Sequence, residues 1–164
     1  MFAATRIFTL PLLLCALAWQ PVSLADASID LFSAVRNGDI ETLRQRLAQG
    51  ADADQPDAGG KSPLALAASL GRTKIVEALL KHGVNTDIAD RNSQTALVLA
   101  ARGGHAAVVE ALLATDLSID LADHDGMTAL HWATMRAHSD VAAALVKKGA
   151  GVNAVNKAGA TPLH

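Results

Sequence analysis

The chain has 164 residues, of which 51% are hydrophobic and 3% aromatic, and its formal net charge at pH 7 is −2. This balance lacks the basic surplus of proteins that bind nucleic acid or anionic membranes, so we expect neither partner. The single cysteine, Cys15, allows no disulfide within the chain, so the fold must be stabilised by packing alone.

The first 27 residues are typical of a secretory signal peptide. Arg6 supplies a positive start, and an apolar run follows over residues 7–19. This run is shorter than the roughly 20 residues that a membrane-spanning helix needs. Small residues then offer cleavage sites after Ala25 or Ala27. An uncleaved anchor and a buried helix are the alternatives. We expect export, to a bacterial periplasm, and no membrane attachment after cleavage.

The rest of the chain repeats itself every 33 residues. The motif Ser-Pro-Leu-Ala at 62–65 returns as Thr-Ala-Leu-Val at 95–98, Thr-Ala-Leu-His at 128–131 and Thr-Pro-Leu-His at 161–164. A fixed period of this length indicates an array of stacked units. We place an N-terminal capping unit at 28–57, full units at 58–90, 91–123 and 124–156, and the start of a truncated unit at 157–164.

Each unit is predicted to contain two short helices. The Ser or Thr that opens the motif is suited to cap the first helix, and a glycine at 38, 71 and 104, replaced by Ala137 in the fourth unit, separates the two helices. Apolar residues spaced i, i+1, i+4 and i+5 give the second helix one apolar face. A second glycine follows at 50, 83 and 149. Asp116 takes its place in the third unit, which should therefore end with a different turn.

The two ends of the array differ in polarity. The second helix of the first unit has Thr42, Gln45 and Arg46 where the next unit has apolar residues, and such a polar face is expected of a cap. At the other end the chain stops four residues into a fifth unit, which we interpret as a fragment of a longer product. We then expect an exposed apolar flank, formed by Val141, Ala144, Leu145 and Leu163.

These landmarks make the chain resemble the ankyrin repeat family. Residues 125–133 run Asp-Gly-Met-Thr-Ala-Leu-His-Trp-Ala, close to the family pattern D-x-x-G-x-T-P-L-H-x-A-A, and residues 60–83 match its two-helix unit. The resemblance implies an all-α ankyrin repeat solenoid, made of helix-turn-helix units joined by hairpin loops. Ala137, Asp116 and Trp132 depart from the family pattern.

Catalytic and metal sites are not indicated. The sequence contains no phosphate loop, no G-x-S-x-G motif and, after cleavage, no cysteine nucleophile. No two histidines share a helix face, and the resemblance assigns His131 a structural role that ties its unit to the neighbouring loop. Asp116, Asp120, Asp123 and Asp125 lack the spacing of a calcium loop. We expect no enzyme activity, cofactor, metal or small-molecule substrate.

The resemblance places the functional surface on the concave side, along the loop tips and first helices. Among these residues we expect Met127, Met135, Arg102 and Arg136 to be the anchors, because Met and Arg are enriched at interfaces. The function is then a non-catalytic interaction module for a protein partner. The alternative is the targeting region of a longer enzyme or toxin, whose catalytic domain follows residue 164. The predicted partner-binding residues are Lys61, Leu70, Arg91, Asn92, Gln94, Arg102, His124, Asp125, Met127, Met135 and Arg136.

Overall fold

A computed structural model describes residues 24–164, with side chains described from residue 31 onward. The described chain forms only α-helices, and none of them has the length and apolarity to cross a membrane. The predicted signal peptide lies outside the described residues except for 24–27, which begin the first helix. The helices are α1 Leu24–Asn37, α2 Ile40–Ala48, α3 Pro63–Ser69, α4 Thr73–His82, α5 Ala96–Gly103, α6 Ala106–Leu113, α7 Ala129–Met135 and α8 Ser139–Lys147.

The first helix of each repeat begins where the motif predicts. Ser62, Thr95 and Thr128 cap α3, α5 and α7, and each side-chain oxygen accepts a hydrogen bond from the amide three residues later. Pro63 occupies the first turn of α3, where no amide donor is needed. Local capping chemistry therefore sets the register of the whole array.

Two layers of helices form the fold. The first helices α1, α3, α5 and α7 pack in one row, and the second helices α2, α4, α6 and α8 pack in the other. Equivalent leucines of the second helices, Leu79, Leu112 and Leu145, are completely buried. The core therefore runs without interruption from one unit to the next, as in a solenoid.

A row of aspartates joins successive units at their ends. The Asp54 carboxylate accepts the Asn85 amide at 3.0 Å, and the Asp120 carboxylate accepts the Gly151 amide at 2.8 Å. Between them, Asp87 accepts both the amide and the hydroxyl of one residue, Ser118. Because each bond spans a unit boundary, these carboxylates fix how far each unit rotates against the next.

A second row of contacts joins the first-helix ends. His105 Nε2 lies 3.2 Å from the Ser69 carbonyl oxygen, and His138 Nε2 lies 3.3 Å from the equivalent carbonyl of Arg102. The imidazole rings lie so close to the glycine of the preceding unit that a Cβ on Gly104 would be 2.6 Å from the His138 ring. The glycine is thus needed for the approach of the next unit as well as for its own turn.

Two left-handed positions carry a side chain instead of glycine. Ala137 has φ +58°, as has Ser93, which stands where the neighbouring hairpins have Gly60 and Gly126.

The third unit ends differently from the others, as predicted for Asp116. Gly50, Gly83 and Gly149 have φ of +84° to +91°, whereas Asp116 is not left-handed, and the Thr115 hydroxyl donates to a carbonyl of α6 at 2.7 Å.

The expected apolar flank at the fourth unit is wrong for two of its four residues. Val141 and Leu145 are fully buried, because α8 turns them towards α6 and α7 of the same stack. Ala144 is half-buried and Leu163 is exposed. The polar face predicted for the first unit is, by contrast, solvent-accessible, with Gln45 exposed and Arg46 half-buried.

Candidate functional site on the loop and first-helix face

The hairpin loops that link the units are held by one recurring polar residue. Asp57, Asp90, Asp123 and Asn156 are spaced by 33, and in each the Oδ1 atom accepts the amides two and four residues later at 2.8 to 3.0 Å. These bonds close a tight turn without using the loop's outward side chains. Those side chains therefore project from a fixed backbone.

Neighbouring loops are also bonded to each other. The His124 amide donates to the Asn92 carbonyl at 3.1 Å, and the Lys157 amide donates to the Asp125 carbonyl at 3.0 Å. The loops thus form a continuous edge rather than independent tips. Backbone pairing of this kind reduces the entropy that a loop loses when a partner binds.

The outward side of α5 and α7 meets this edge in a polar cluster around Trp132. The indole Nε1 donates to Asp123 Oδ2 at 2.9 Å, and the Gln94 side-chain amide contacts the same oxygen at 3.5 Å. The Gln94 oxygen in turn accepts from Arg102 Nη1 at 3.1 Å. We call Gln94, Arg102, Asp123, Trp132 and Arg136 the tryptophan cluster.

Two guanidinium groups flank the indole of this cluster. The Cζ atom of Arg102 lies 5.5 Å from the Trp132 ring centroid, and that of Arg136 lies 5.9 Å away. Both distances are within the range of a cation–π interaction. Within residues 31–164 neither arginine forms a salt bridge, and the Asp123 carboxylate is already occupied by four donors. The cluster therefore presents positive charge on an aromatic surface.

The structure joins three of the predicted partner-binding residues, Gln94, Arg102 and Arg136, in the tryptophan cluster. Leu70 and Met135 end their first helices with 44% and 58% of their surface exposed. The remaining predicted residues lie along the loop edge. Arg91, Asn92, His124 and Asp125 are exposed there, and Lys61 is half-buried.

Gln94 and Met127 require a correction, because neither is an exposed anchor. Only 6% of Gln94 and 9% of Met127 is accessible. Gln94 points inward to bridge Asp123 and Arg102, and the Met127 sulfur contacts the Asn156 side-chain amide at 3.2 Å. Both residues support the loop edge from beneath.

Sequence reasoning missed Trp132 and Asp123 as parts of the site. Trp132 was visible as a large aromatic where the equivalent positions are Leu66 and Leu99, but this departure alone does not reveal the two flanking arginines. Asp123 was weighed only as a metal ligand. Its recurrence every 33 residues, shared with Asp57 and Asp90, was the available signal of a loop role.

The histidine of the fourth unit's motif has a structural role. His131 Nδ1 accepts the Thr128 amide at 3.2 Å, so its proton lies on Nε2, which donates to the Ala160 carbonyl at 3.1 Å. The contact ties α7 to the following loop, as predicted. Across the described residues no group of three His, Cys, Asp or Glu side chains is placed to hold a metal ion.

Comparison with known families agrees with this architecture. The profile described as "Ankyrin repeats (3 copies)" matches residues 31–123, and that described as "Ankyrin repeat" matches residues 125–157. No curated protein matches the chain significantly. The two family matches together cover more than half of the chain and coincide with the stacked helix pairs. The chain therefore belongs to the ankyrin repeat family.

Proposed function

We propose that the protein is an exported ankyrin repeat protein that binds a partner protein on the face formed by its hairpin loops and first helices. Ankyrin repeats are generally non-catalytic modules for protein–protein interaction, and this supports the class of partner. The binding face and the export are our own inferences. We take this face to be the concave side, which the family resemblance implies as the binding side.

The observation that carries the proposal is the tryptophan cluster. Tryptophan and arginine are the residues that most often dominate the binding energy of protein interfaces. Here Trp132 is partly exposed and lies between two arginines on one face. Part of the Trp132 side chain packs against the core, and the part that stays accessible offers a partner an aromatic surface.

The same cluster is arranged in advance of binding. The bond from the indole to Asp123 fixes the ring, and the Gln94 contact holds Arg102 beside it. Asp123 is in turn held by the amides of its own loop. Because these side chains are already ordered, a partner loses less entropy on binding them than on binding mobile side chains.

Exposed apolar residues extend the face on both sides. Leu70 lies at the end of α3 and Met135 at the end of α7, with the tryptophan cluster contributed by the loops, α5 and α7. A partner covering α3 to α7 would contact Leu70 at one end and, at the other, Met135 beside the tryptophan cluster. This arrangement matches the apolar and aromatic anchors of known interfaces.

Site-specific photo-cross-linking in the native host tests the proposal. A photoreactive residue at Leu70 or Met135 should give one discrete adduct with a second protein. The matched controls are Glu77 and Glu110, which are also exposed but lie on the second helices α4 and α6. Equal adducts from both sets, or adducts only from Glu77 and Glu110, would place the partner on the opposite layer and refute the proposal.

A further inference from the structure

We infer that the tryptophan cluster binds an acidic stretch of the partner protein, with Arg102 and Arg136 contacting its carboxylates. The inference rests on the proposed function, since it assigns the chemistry of the partner at that same face. Three observations lead to it: the distribution of charge between the two helix layers, the state of the arginines, and the saturation of the nearby carboxylate.

Acidic residues are absent from the first helices α3, α5 and α7, whereas the second helices carry both signs of charge. The first helices α3, α5 and α7 contain no Asp or Glu, and the charged residues at their ends are Arg102 and Arg136. The second helices α4, α6 and α8 carry both signs, with Glu77, Glu110 and Asp140 balanced by Lys74, Lys81 and Lys147. A chain of nearly balanced total charge therefore presents a locally positive first-helix layer, which attracts an acidic partner.

The arginines retain donors for a ligand. Arg102 uses Nη1 for the Gln94 oxygen, and within the described part of the chain Arg136 has no side-chain hydrogen bond. A guanidinium stacked on an aromatic ring is fixed in direction while its edge stays open to a carboxylate, which it binds through two parallel hydrogen bonds. The Trp132 indole lies within cation–π distance of both arginines.

The cluster's own carboxylate does not compete for them. Both oxygens of Asp123 are engaged, Oδ1 by two loop amides and Oδ2 by Trp132 and Gln94. Asp125 is an exposed carboxylate on the same loop. Arg91, a cation, and His124, a titratable side chain, are exposed on the same edge, so Asp125 does not make this edge acidic by itself. Asp123 still offsets one of the two positive charges, but it accepts no bond from either guanidinium, so the donors of Arg102 and Arg136 remain available to a carboxylate supplied from outside.

A titration of the isotope-labelled full chain tests the inference. The probes are N-acetylated tetraglutamate and the neutral, equally long tetraglutamine, and the signals are the Trp132 indole N–H and the side-chain N–H groups of Arg102 and Arg136. We expect saturable shifts with tetraglutamate and at least tenfold weaker binding of tetraglutamine. The double substitution Arg102→Gln and Arg136→Gln should weaken tetraglutamate binding about tenfold.

A matched control removes the same charge from the other layer. The double substitution Lys74→Gln and Lys81→Gln alters exposed residues of α4 and should change the affinity by less than about twofold. Equal losses in the two double variants would show that only net charge matters, and would overturn the inference. If the arginine variant does not fold, the comparison of tetraglutamate with tetraglutamine on the unaltered chain still decides.

Three further results of the titration would overturn the inference. No saturable shift with tetraglutamate, or equal binding of tetraglutamine, overturns the inference. Tighter binding of a thymidine oligonucleotide of equal charge overturns it too, because the site would then prefer phosphates to carboxylates. Any of these three results leaves the proposed function standing if a photoreactive residue at Met135 still cross-links to a partner protein. If Met135 gives no such adduct, the proposed function is refuted whatever the peptide titrations show.

Discussion

At the scale of single residues, the left-handed turn between the two helices shows how one side chain affects the array. Gly38, Gly71 and Gly104 adopt this conformation without cost, whereas Ala137 adopts it with φ +58°. An alanine there is strained by roughly 1 to 2 kcal/mol, partly offset by the freedom that a glycine adds to the unfolded chain.

We therefore predict opposite effects for opposite substitutions at equivalent positions. Ala137→Gly should raise the free energy of unfolding by up to about 1 kcal/mol. Gly104→Ala should lower it by roughly 1 to 3 kcal/mol, because it adds strain and places a Cβ 2.6 Å from His138. Chemical denaturation measures both.

The control for this pair is Ala143→Gly in the exposed face of α8, which should cost about 1 kcal/mol because glycine disfavours the helix interior. A loss of stability in Ala137→Gly as large as in Ala143→Gly would contradict the assignment of strain to Ala137.

Trp132 offers a second prediction at this scale. Trp132→Leu introduces the residue that the second and third units carry at the same place, Leu66 and Leu99, so the fold should persist with a loss of stability below about 2 kcal/mol. Partner binding should weaken by roughly 30-fold or more, as for a hot-spot residue. Calorimetric unfolding and binding to the cross-linked partner measure the two effects. Undiminished binding would remove Trp132 from the interface.

Single residues also show what the sequence was able to predict. The caps Ser62, Thr95 and Thr128, and the tie made by His131, depend on neighbours at fixed offsets and were predicted. The tryptophan cluster depends on side chains from three segments that meet once in the array. The 33-residue period gives no sign of this contact, so only the stacked structure reveals it.

At the scale of elements, the second helices carry the stability of the stack. Leu79 and Leu112 are fully buried at equivalent positions, whereas Arg46, in the same register of α2, is half-buried and bonded to Gln49. Leu79→Ala or Leu112→Ala should each cost about 2 to 5 kcal/mol. Arg46→Ala should cost much less, since its replacement opens no cavity. Denaturant unfolding measures all three. An equal loss of stability in Arg46→Ala and Leu79→Ala would refute the interpretation of α2 as part of a cap.

The helix α8 marks a limit of element-level prediction. Its apolar residues Val141 and Leu145 were expected to be exposed for want of a following unit, yet both are buried against the preceding helices. Periodicity identifies an apolar face, but it does not say which neighbour covers that face. We now expect the amides of α8 to exchange hydrogen about as slowly as those of α4, and this is measured by hydrogen exchange of a monomeric sample. Much faster exchange in α8 would restore the earlier expectation.

At the scale of the whole molecule, we propose that the protein is exported. Arg6, the apolar run at 7–19 and the small residues that follow support it. Expression in a secreting bacterium should therefore yield a mature protein that begins at Asp26 or Ser28. Mass spectrometry of the exported fraction identifies this terminus, and a mature form that retains residues 1–19 would overturn the localisation.

We propose that the stacked units together present one binding face, made of loops and first helices. Hydrogen exchange of the complex with the partner captured through Met135 tests it most directly. We predict protection on binding at the loops 90–94 and 123–127 and in α5 and α7, with little change in α4 and α6. Protection concentrated in α4 and α6, with the two loops unchanged, would place the partner on the second helices and rule out this face.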